Sequence, residues 1–179
     1  MNKAAFLDRD GVINVKAPEG QYVTRWEEVR FLPGVPAAIA RLKKAGFLVI
    51  VISNQRCVAK GLVTSAQVEA LHQRICEELA RLGAVIDAVY FCPHDNEPPC
   101  ECRKPAPGML LQASREHQID LGSSWMIGDS LADVAAGKNA GCKTVLVGRR
   151  ESSVASSPDL FAGSLLDATE KILPITELF

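Results

Sequence analysis

The chain has no long apolar run. The longest, Ala45 to Ile52, falls far short of the ~18 residues that a membrane span needs. It has no charge imbalance either. Lys plus Arg number 20 and Asp plus Glu 21, a formal net charge of −1, so there is no global basic field to attract nucleic acid. Only about four apolar residues separate Lys3 from Asp8, too few for the core of a signal peptide. No repeat, low-complexity tract or interdomain linker interrupts the sequence. These absences leave the expectation of a cytoplasmic monomer that takes a small molecule at a local site, with no membrane and no nucleic acid as partner. Its length of 179 residues, 47% hydrophobic and 23% charged, suits one globular domain over residues 1–179.

What is present alternates. Ala4–Leu7 is short, apolar and ends in a polar cluster, as a buried strand does. Phe47 to Ile52 is a continuous apolar run, the mark of a strand buried on both faces. Val85–Phe91, Ser124–Ile127 and Thr144–Val147 read as further strands. Helices are expected over Pro36–Ala45, from Thr64 with Gln67 completing a capping box, and over Pro107–His117, Leu131–Ala140 and Leu165–Leu173. In the second of these, Val68, Leu71, Ile75, Leu79 and Leu82 recur at helical spacing. Arg149 to Pro158 is polar and Ser-rich, and reads as a surface loop. The pattern predicts an α/β fold: one Rossmann-like three-layer domain with a mostly parallel sheet. In such folds ligands sit beyond the carboxyl ends of the strands.

The strand ends carry the chemistry. Asp8-Arg9-Asp10-Gly11 alone reads as a turn, and Asp129 before a helix alone reads as a cap. Together Asp8, Asp10 and Asp129 bring three carboxylates to one sheet edge, where they repel unless a cation binds. Hard oxygen ligands suit Mg2+. A carboxylate beside such an ion can attack phosphorus, and a second can move the proton. Ser53 and Lys104 are candidates to hold the phosphoryl oxygens.

Three of the six cysteines fall in a Pro-rich stretch over 92–102 that reads as an exposed loop. Cys92, His94, Cys100 and Cys102 are four ligands for a tetrahedral Zn2+ with no open position, hence a structural ion. A disulfide is the alternative. Directly after the last ligand stand Arg103 and Lys104, so the metal would fix them.

Phe6-Leu7-Asp8-Arg9-Asp10-Gly11, Ile52-Ser53-Asn54-Gln55, Arg103-Lys104-Pro105 and Ile127-Gly128-Asp129 resemble, in order, the four motifs of the haloacid dehalogenase superfamily of phosphatases, over roughly residues 4 to 150. The resemblance implies a minimal cap, Asp8 as nucleophile, Asp10 as general acid/base, and Ser53 and Lys104 on the phosphoryl group. It also implies Mg2+ on Asp8, the Asp10 carbonyl and Asp129, with Asp133 supporting the metal shell.

The Cys-x-His…Cys-x-Cys-Arg-Lys-Pro loop is similar to two small-capped groups of that superfamily. One acts on heptose bisphosphate in nucleotide-activated heptose and lipopolysaccharide precursor synthesis, the other on histidinol phosphate. The stretch from Gln55 to Gly61 looks more like the first, although Arg56-Cys57 stands where that group commonly has Ser-Gly. A sugar bisphosphate needs a second cationic site, for which Arg103 is the leading candidate, with Arg56 and Lys60 behind it. Lys16, Gly20, Gln21 and Tyr22 are expected near the sugar by resemblance, and Asn54, Gln55 and Ser130 beside the motifs. A non-catalytic module that binds a phosphorylated ligand is the reading from a different class.

Overall fold

In the computed structural model, which describes residues 1–148 and 157–173, six strands form one parallel sheet. They are β1 (Lys3–Leu7), β2 (Phe47–Asn54), β3 (Ala88–Cys92), β4 (Trp125–Gly128), β5 (Lys143–Val147) and β6 (Leu160–Ala162). Their spatial order is β3-β2-β1-β4-β5-β6. Helices α1 (Val35–Lys44), α2 (Ser65–Arg81), α3 (Gly108–His117), α4 (Leu131–Ala140) and α5 (Leu165–Ile172) link and cover them.

Successive strand residues point to opposite faces, so the sheet has two cores. Ala5, Leu7, Val49, Val51, Ile127 and Val145 pack with apolar residues of α1, α2 and α5. Ala4, Phe6, Ile50, Ile52 and Met126 pack on the other face with Met109, Leu110 and Ala113 of α3 and Ala136 of α4. Both faces of the central strands are dry, as their uninterrupted apolar runs require.

Helix α2 starts as expected: the Thr64 hydroxyl accepts from the Gln67 N–H at 3.2 Å, and the Gln67 side chain accepts from the Thr64 N–H at 2.8 Å. It stops at Arg81, so Leu82 lies outside it and exposed. The third strand begins at Ala88 rather than Val85, because the Asp87 carboxylate takes the Val49 N–H at 2.7 Å and binds Lys43. Strand β6 has three residues, too short for a periodic signal. Most of the expected Ser-rich loop, residues 149–156, lies outside the described residues. Among the described residues, no helix is long and apolar enough to cross a membrane.

The chain reverses its course across the sheet between β1 and β4, and this switch point opens a crevice. Leu7 is in register with Ile127, and the Asp8 N–H donates to the Ile127 carbonyl at 2.9 Å. The ends of β1 and β4 are thereby side by side. Beyond β1 the chain turns at Gly11, makes a short antiparallel stem (Leu32 N–H to Ile13 carbonyl at 3.0 Å, Val15 N–H to Arg30 carbonyl at 2.8 Å) and carries a loop over the crevice.

Candidate active site

The two glycines nearest the carboxylates are demanded by space. Gly11 has φ +91°, and a Cβ there would lie 2.3 Å from Asp129 Oδ2. A Cβ on Gly128 would lie 2.1 Å from the Cβ of Asp133. Glycine lets the turn after β1 and the entrance to α4 close on one point, so Asp8, Asp129 and Asp133 converge with one carboxylate oxygen of each within 4.8 Å of the others.

Lys104 is fully enclosed and meets this charge. Its ammonium donates to Asp8 Oδ1 at 2.8 Å and the Ile52 carbonyl at 2.7 Å, and pairs with Asp133 Oδ1 at 2.6 Å. Two hydrogen bonds and one further ion pair thus fix the ammonium. Its backbone is fixed as well: Asn54 Oδ1 accepts from the Lys104 N–H and Asn54 Nδ2 donates to its carbonyl, both at 3.1 Å. Burial pulls the ammonium down, but Asp8 and Asp133 outweigh it and hold Lys104 above the ordinary lysine range. Burial raises Asp8 and Lys104 pulls it back; Asp133 and Asp129 add to the rise, which ends at about 7.

Asp133 is the end of a second capping box. Ser130 Oγ donates to its Oδ2 at 2.6 Å, and the Ser130 N–H does so at 3.0 Å. Its oxygens therefore serve Lys104 and the start of α4, which suits a supporting role. Asp129 pairs with Lys16 through Oδ2 at 2.8 Å, while its Oδ1 is buried with no hydrogen-bond partner. A buried, unsatisfied carboxylate oxygen beside Asp8 fits a hard divalent cation.

Asp10 sits across the cleft. Its Oδ1 accepts from Asn14 at 2.9 Å and its Oδ2 from Gln55 at 3.3 Å. Arg9 grips both oxygens, at 2.8 and 3.1 Å through Nη2. Ser53 lies beneath the cleft rather than on its wall, 1% exposed, and accepts from Gln55 Nε2 at 2.7 Å. The cleft has a volume of ≈ 340 Å³ and is lined by Asp8, Asp10, Lys16, Gly20, Gln21, Tyr22, Asn54, Arg103, Lys104, Asp129, Ser130 and Asp133, among others. Arg56 and Lys60 are not on that wall. Arg56 Nε binds Asp95 at 2.5 Å, and Lys60 stands over the Tyr22 ring at 5.3 Å. Asp95 ties Arg56 to the 92–102 loop, whereas Lys60 stays beside the cleft on Tyr22, which lines it.

The loop over 92–102 brings its four predicted ligands together. Cys92, Cys100 and Cys102 have Sγ–Sγ distances of 3.1, 3.4 and 3.6 Å, and His94 Nδ1 lies 3.3 and 3.5 Å from Cys102 and Cys92. A tetrahedron of thiolates at ~2.3 Å from zinc has edges of about 3.8 Å. These separations approach that and are far longer than the ~2.05 Å of a disulfide; all the cysteines are free. Burial raises the Cys100 thiol, but hydrogen bonds with Cys102, the Arg103 N–H, Cys92 and His94 bring it down to about 7. The donor set therefore fits zinc. Arg103 leans on this loop, donating to Asn96 Oδ1 at 2.9 Å and the His94 carbonyl at 3.2 Å.

Two residues of the site carry no expectation from the sequence. Arg9 stands there only as the spacer between two aspartates, and His72 is given no role. Their signal lies in spacing: His72 falls at the same periodic positions as Val68, Ile75 and Leu79, a polar ring on a buried face.

A family model described as HAD-hydrolase-like matches residues 101–168. The D-glycero-beta-D-manno-heptose-1,7-bisphosphate 7-phosphatase of Rhodopseudomonas palustris is 46% identical over 145 residues, 77% of this chain and 79% of its own. The D-glycero-D-manno-heptose-1,7-bisphosphate 7-phosphatase of Thermosynechococcus vestitus is 42% identical over 188 residues, covering 94% of each chain. The crystal structure of D,D-heptose 1,7-bisphosphate phosphatase from B. bronchiseptica, complexed with magnesium and phosphate, superposes with a TM-score of 0.85 at 34% identity, over 95% of this chain and 97% of that one. The chain belongs to the haloacid dehalogenase-like hydrolases, in the family of heptose-1,7-bisphosphate 7-phosphatases, and is a phosphoric monoester hydrolase. The reading as a non-catalytic module falls with that, and these relatives do not favour a histidinol phosphatase.

Proposed function

We propose that this chain removes the C7 phosphate of D-glycero-D-manno-heptose 1,7-bisphosphate, in the supply of nucleotide-activated heptose for lipopolysaccharide precursors. The observation that carries the chemistry is the convergence of Asp8, Asp129 and Lys104 at the β1/β4 switch point, with Asp10 across the cleft. The relatives' substrates support the choice of sugar.

Asp8 attacks phosphorus, forming the aspartyl-phosphate as the bond to the sugar O7 breaks. Asp10 gives its proton to that oxygen and then takes one from the water that cleaves the acyl phosphate. Lys104 holds the phosphoryl oxygens, and the Ser53 hydroxyl, which accepts from Gln55 beneath the cleft, would donate its own proton to one of them. Asp8, the Asp10 carbonyl and Asp129 would hold Mg2+, which supplies charge neutralisation to the phosphate. Arg103 pairs with the distal C1 phosphate, while Lys16, Gly20, Gln21, Tyr22 and Ser130 face the sugar. Cys92, His94, Cys100 and Cys102 would hold a structural Zn2+, fixing the loop on which Arg103 leans.

Parallel kinetics test this reading. The purified enzyme with Mg2+ is expected to give a higher kcat/KM on heptose 1,7-bisphosphate than on histidinol phosphate. The reverse order would overturn the substrate while leaving the roles of Asp8 and Asp10 standing.

A further inference from the structure

Arg9 is the largest side chain buried almost completely, 1% exposed, and it lies within reach of the reacting groups. A guanidinium has only donors, and each edge of this one is used. Nε and Nη2 fork onto Asp10, at 3.1 Å and at 2.8 and 3.1 Å. Nη2 also donates to the Val23 carbonyl at 3.0 Å, and Nη1 points at His72 Nε2 at 3.1 Å. Since Arg9 cannot accept, His72 Nε2 must, so the imidazole is neutral with its proton on Nδ1. Burial, then the Arg9 charge, drives His72 down to about 3. The ring stands edge-on to Phe91, 5.5 Å between centroids. A buried arginine is unfavourable unless fully paired, and here the pairing converges on the carboxylate that moves the proton.

We propose that Arg9, braced from behind by His72, is a positioning residue that fixes the Asp10 carboxylate in the orientation from which it protonates the leaving oxygen. This rests on the reading of Asp10 as the proton donor. Asp10 needs the restraint: it stands in a turn, its side chain 24% exposed in the cleft. Without Arg9, Asn14 and Gln55 still donate to it, each through one nitrogen to one oxygen. The carboxylate would be loosened rather than released. His72 touches neither Asp10 nor the cleft wall, so its influence runs through Arg9.

The test is leaving-group dependence. An alkyl phosphate such as a sugar phosphate needs a proton on its departing oxygen, whereas 2,4-dinitrophenyl phosphate does not. In kcat/KM, Arg9→Lys keeps the charge and loses the fork; it should lower the alkyl-to-dinitrophenyl ratio by about ten- to hundredfold. His72→Leu should lower the same ratio by roughly three- to tenfold, and His72→Gln, whose amide oxygen can accept from Nη1, should recover most of it. In an Asp10→Asn background, Arg9→Lys should change the ratio no further. Equal losses on both substrates in the Arg9 and His72 variants, with Asp10→Asn still selective, would overturn this proposal alone. An unselective Asp10→Asn would overturn the reading of Asp10 and the proposal with it. Should Arg9→Lys fail to fold, the two His72 variants decide.

Discussion

The two candidate metal centres are built in opposite ways. The oxygen site gathers Asp8 from the end of β1, Asp129 and Asp133 from the junction of β4 and α4, and Lys104 from the connection before α3, and the fold brings them together before any ion arrives. The sulfur site takes Cys92 from the end of β3 and its other three ligands from the loop that follows. Burial in the first is supplied by two hydrophobic cores. In the second, Cys92 is buried in one of those cores with Cys100 and Cys102 packed against it, while His94 stands exposed on the loop. The difference teaches where each centre can act. A site held by the sheet keeps reacting atoms in place, and a site on a loop can only present its neighbours, here Arg103 and Lys104. Lys104 belongs to both, standing two residues after Cys102 while its ammonium is locked at the sheet edge.

The largest break in the comparison comes from the sheet site. Asp8→Asn keeps the size and shape of the side chain but cannot attack phosphorus. Turnover of every phosphate ester is expected to fall to background, with the fold retained by circular dichroism. Substantial activity in a contaminant-free preparation would overturn the covalent route. Removing a loop ligand should act differently. Cys100→Ser takes one of three thiolates from the four ligands and should lower Tm by about 5–10 °C, on the order of 2–3 kcal/mol, and elemental analysis should find zinc in the parent protein and none in the variant. Activity on a small phosphomonoester should fall less than activity on the bisphosphate, because the Lys104 ammonium is anchored by Asp8, Asp133 and Ile52.

Arg103 sharpens the division further. Its guanidinium leans on the loop and lines the cleft. A charge-assisted contact to a distal phosphate contributes roughly 1.5–3 kcal/mol, about ten- to hundredfold in kcat/KM. Arg103→Ala should lose that factor on heptose 1,7-bisphosphate and almost none on a small monoester. Equal losses would place Arg103 at the reacting phosphate instead.

The sequence made the chemistry of both centres readable because each depends on residue type at a fixed place. Asp8 and Asp129 stand at the ends of apolar runs, and the metal-loop ligands lie within one stretch. Pairing partners were harder to read. Arg56 and Lys60 look available as free cations, yet Asp95 and Tyr22 engage them, and nothing local in the sequence announces those contacts. Ser53 reads as a wall residue but is turned beneath the cleft onto Gln55, an orientation set by strand pleat and packing. Arg9 is hidden by the general rule that arginine is exposed. Its burial depends on a partner 63 positions away on α2. The position of Asp87, which delays β3, is likewise a tertiary effect, because its carboxylate reaches across to the backbone of β2.

Proton competition gives the smallest and most discriminating effect. Asp8 and Cys100 both come to about 7, from opposite sides of their ordinary values. Asp8 is raised by burial and its carboxylate neighbours against the pull of Lys104, so the folded state holds that proton more tightly than an unfolded aspartate near ~3.9 does. Stability from this source is complete below about pH 4 and is lost as pH rises through 7. Above that, three carboxylates face one buried ammonium, and a divalent cation relieves the repulsion. At pH 5, Mg2+ must first displace the proton from Asp8; at pH 8 it need not. Mg2+ is therefore expected to raise Tm more at pH 8 than at pH 5, with apparent affinity weakening by up to about tenfold per pH unit below 7. Thermal melts with and without Mg2+ across this range check it. Asp129→Asn should flatten the dependence, since it removes one of the repelling charges and a ligand together. A Mg2+ shift that does not vary with pH would mean that Asp8 is already ionised throughout, with Lys104 outweighing burial.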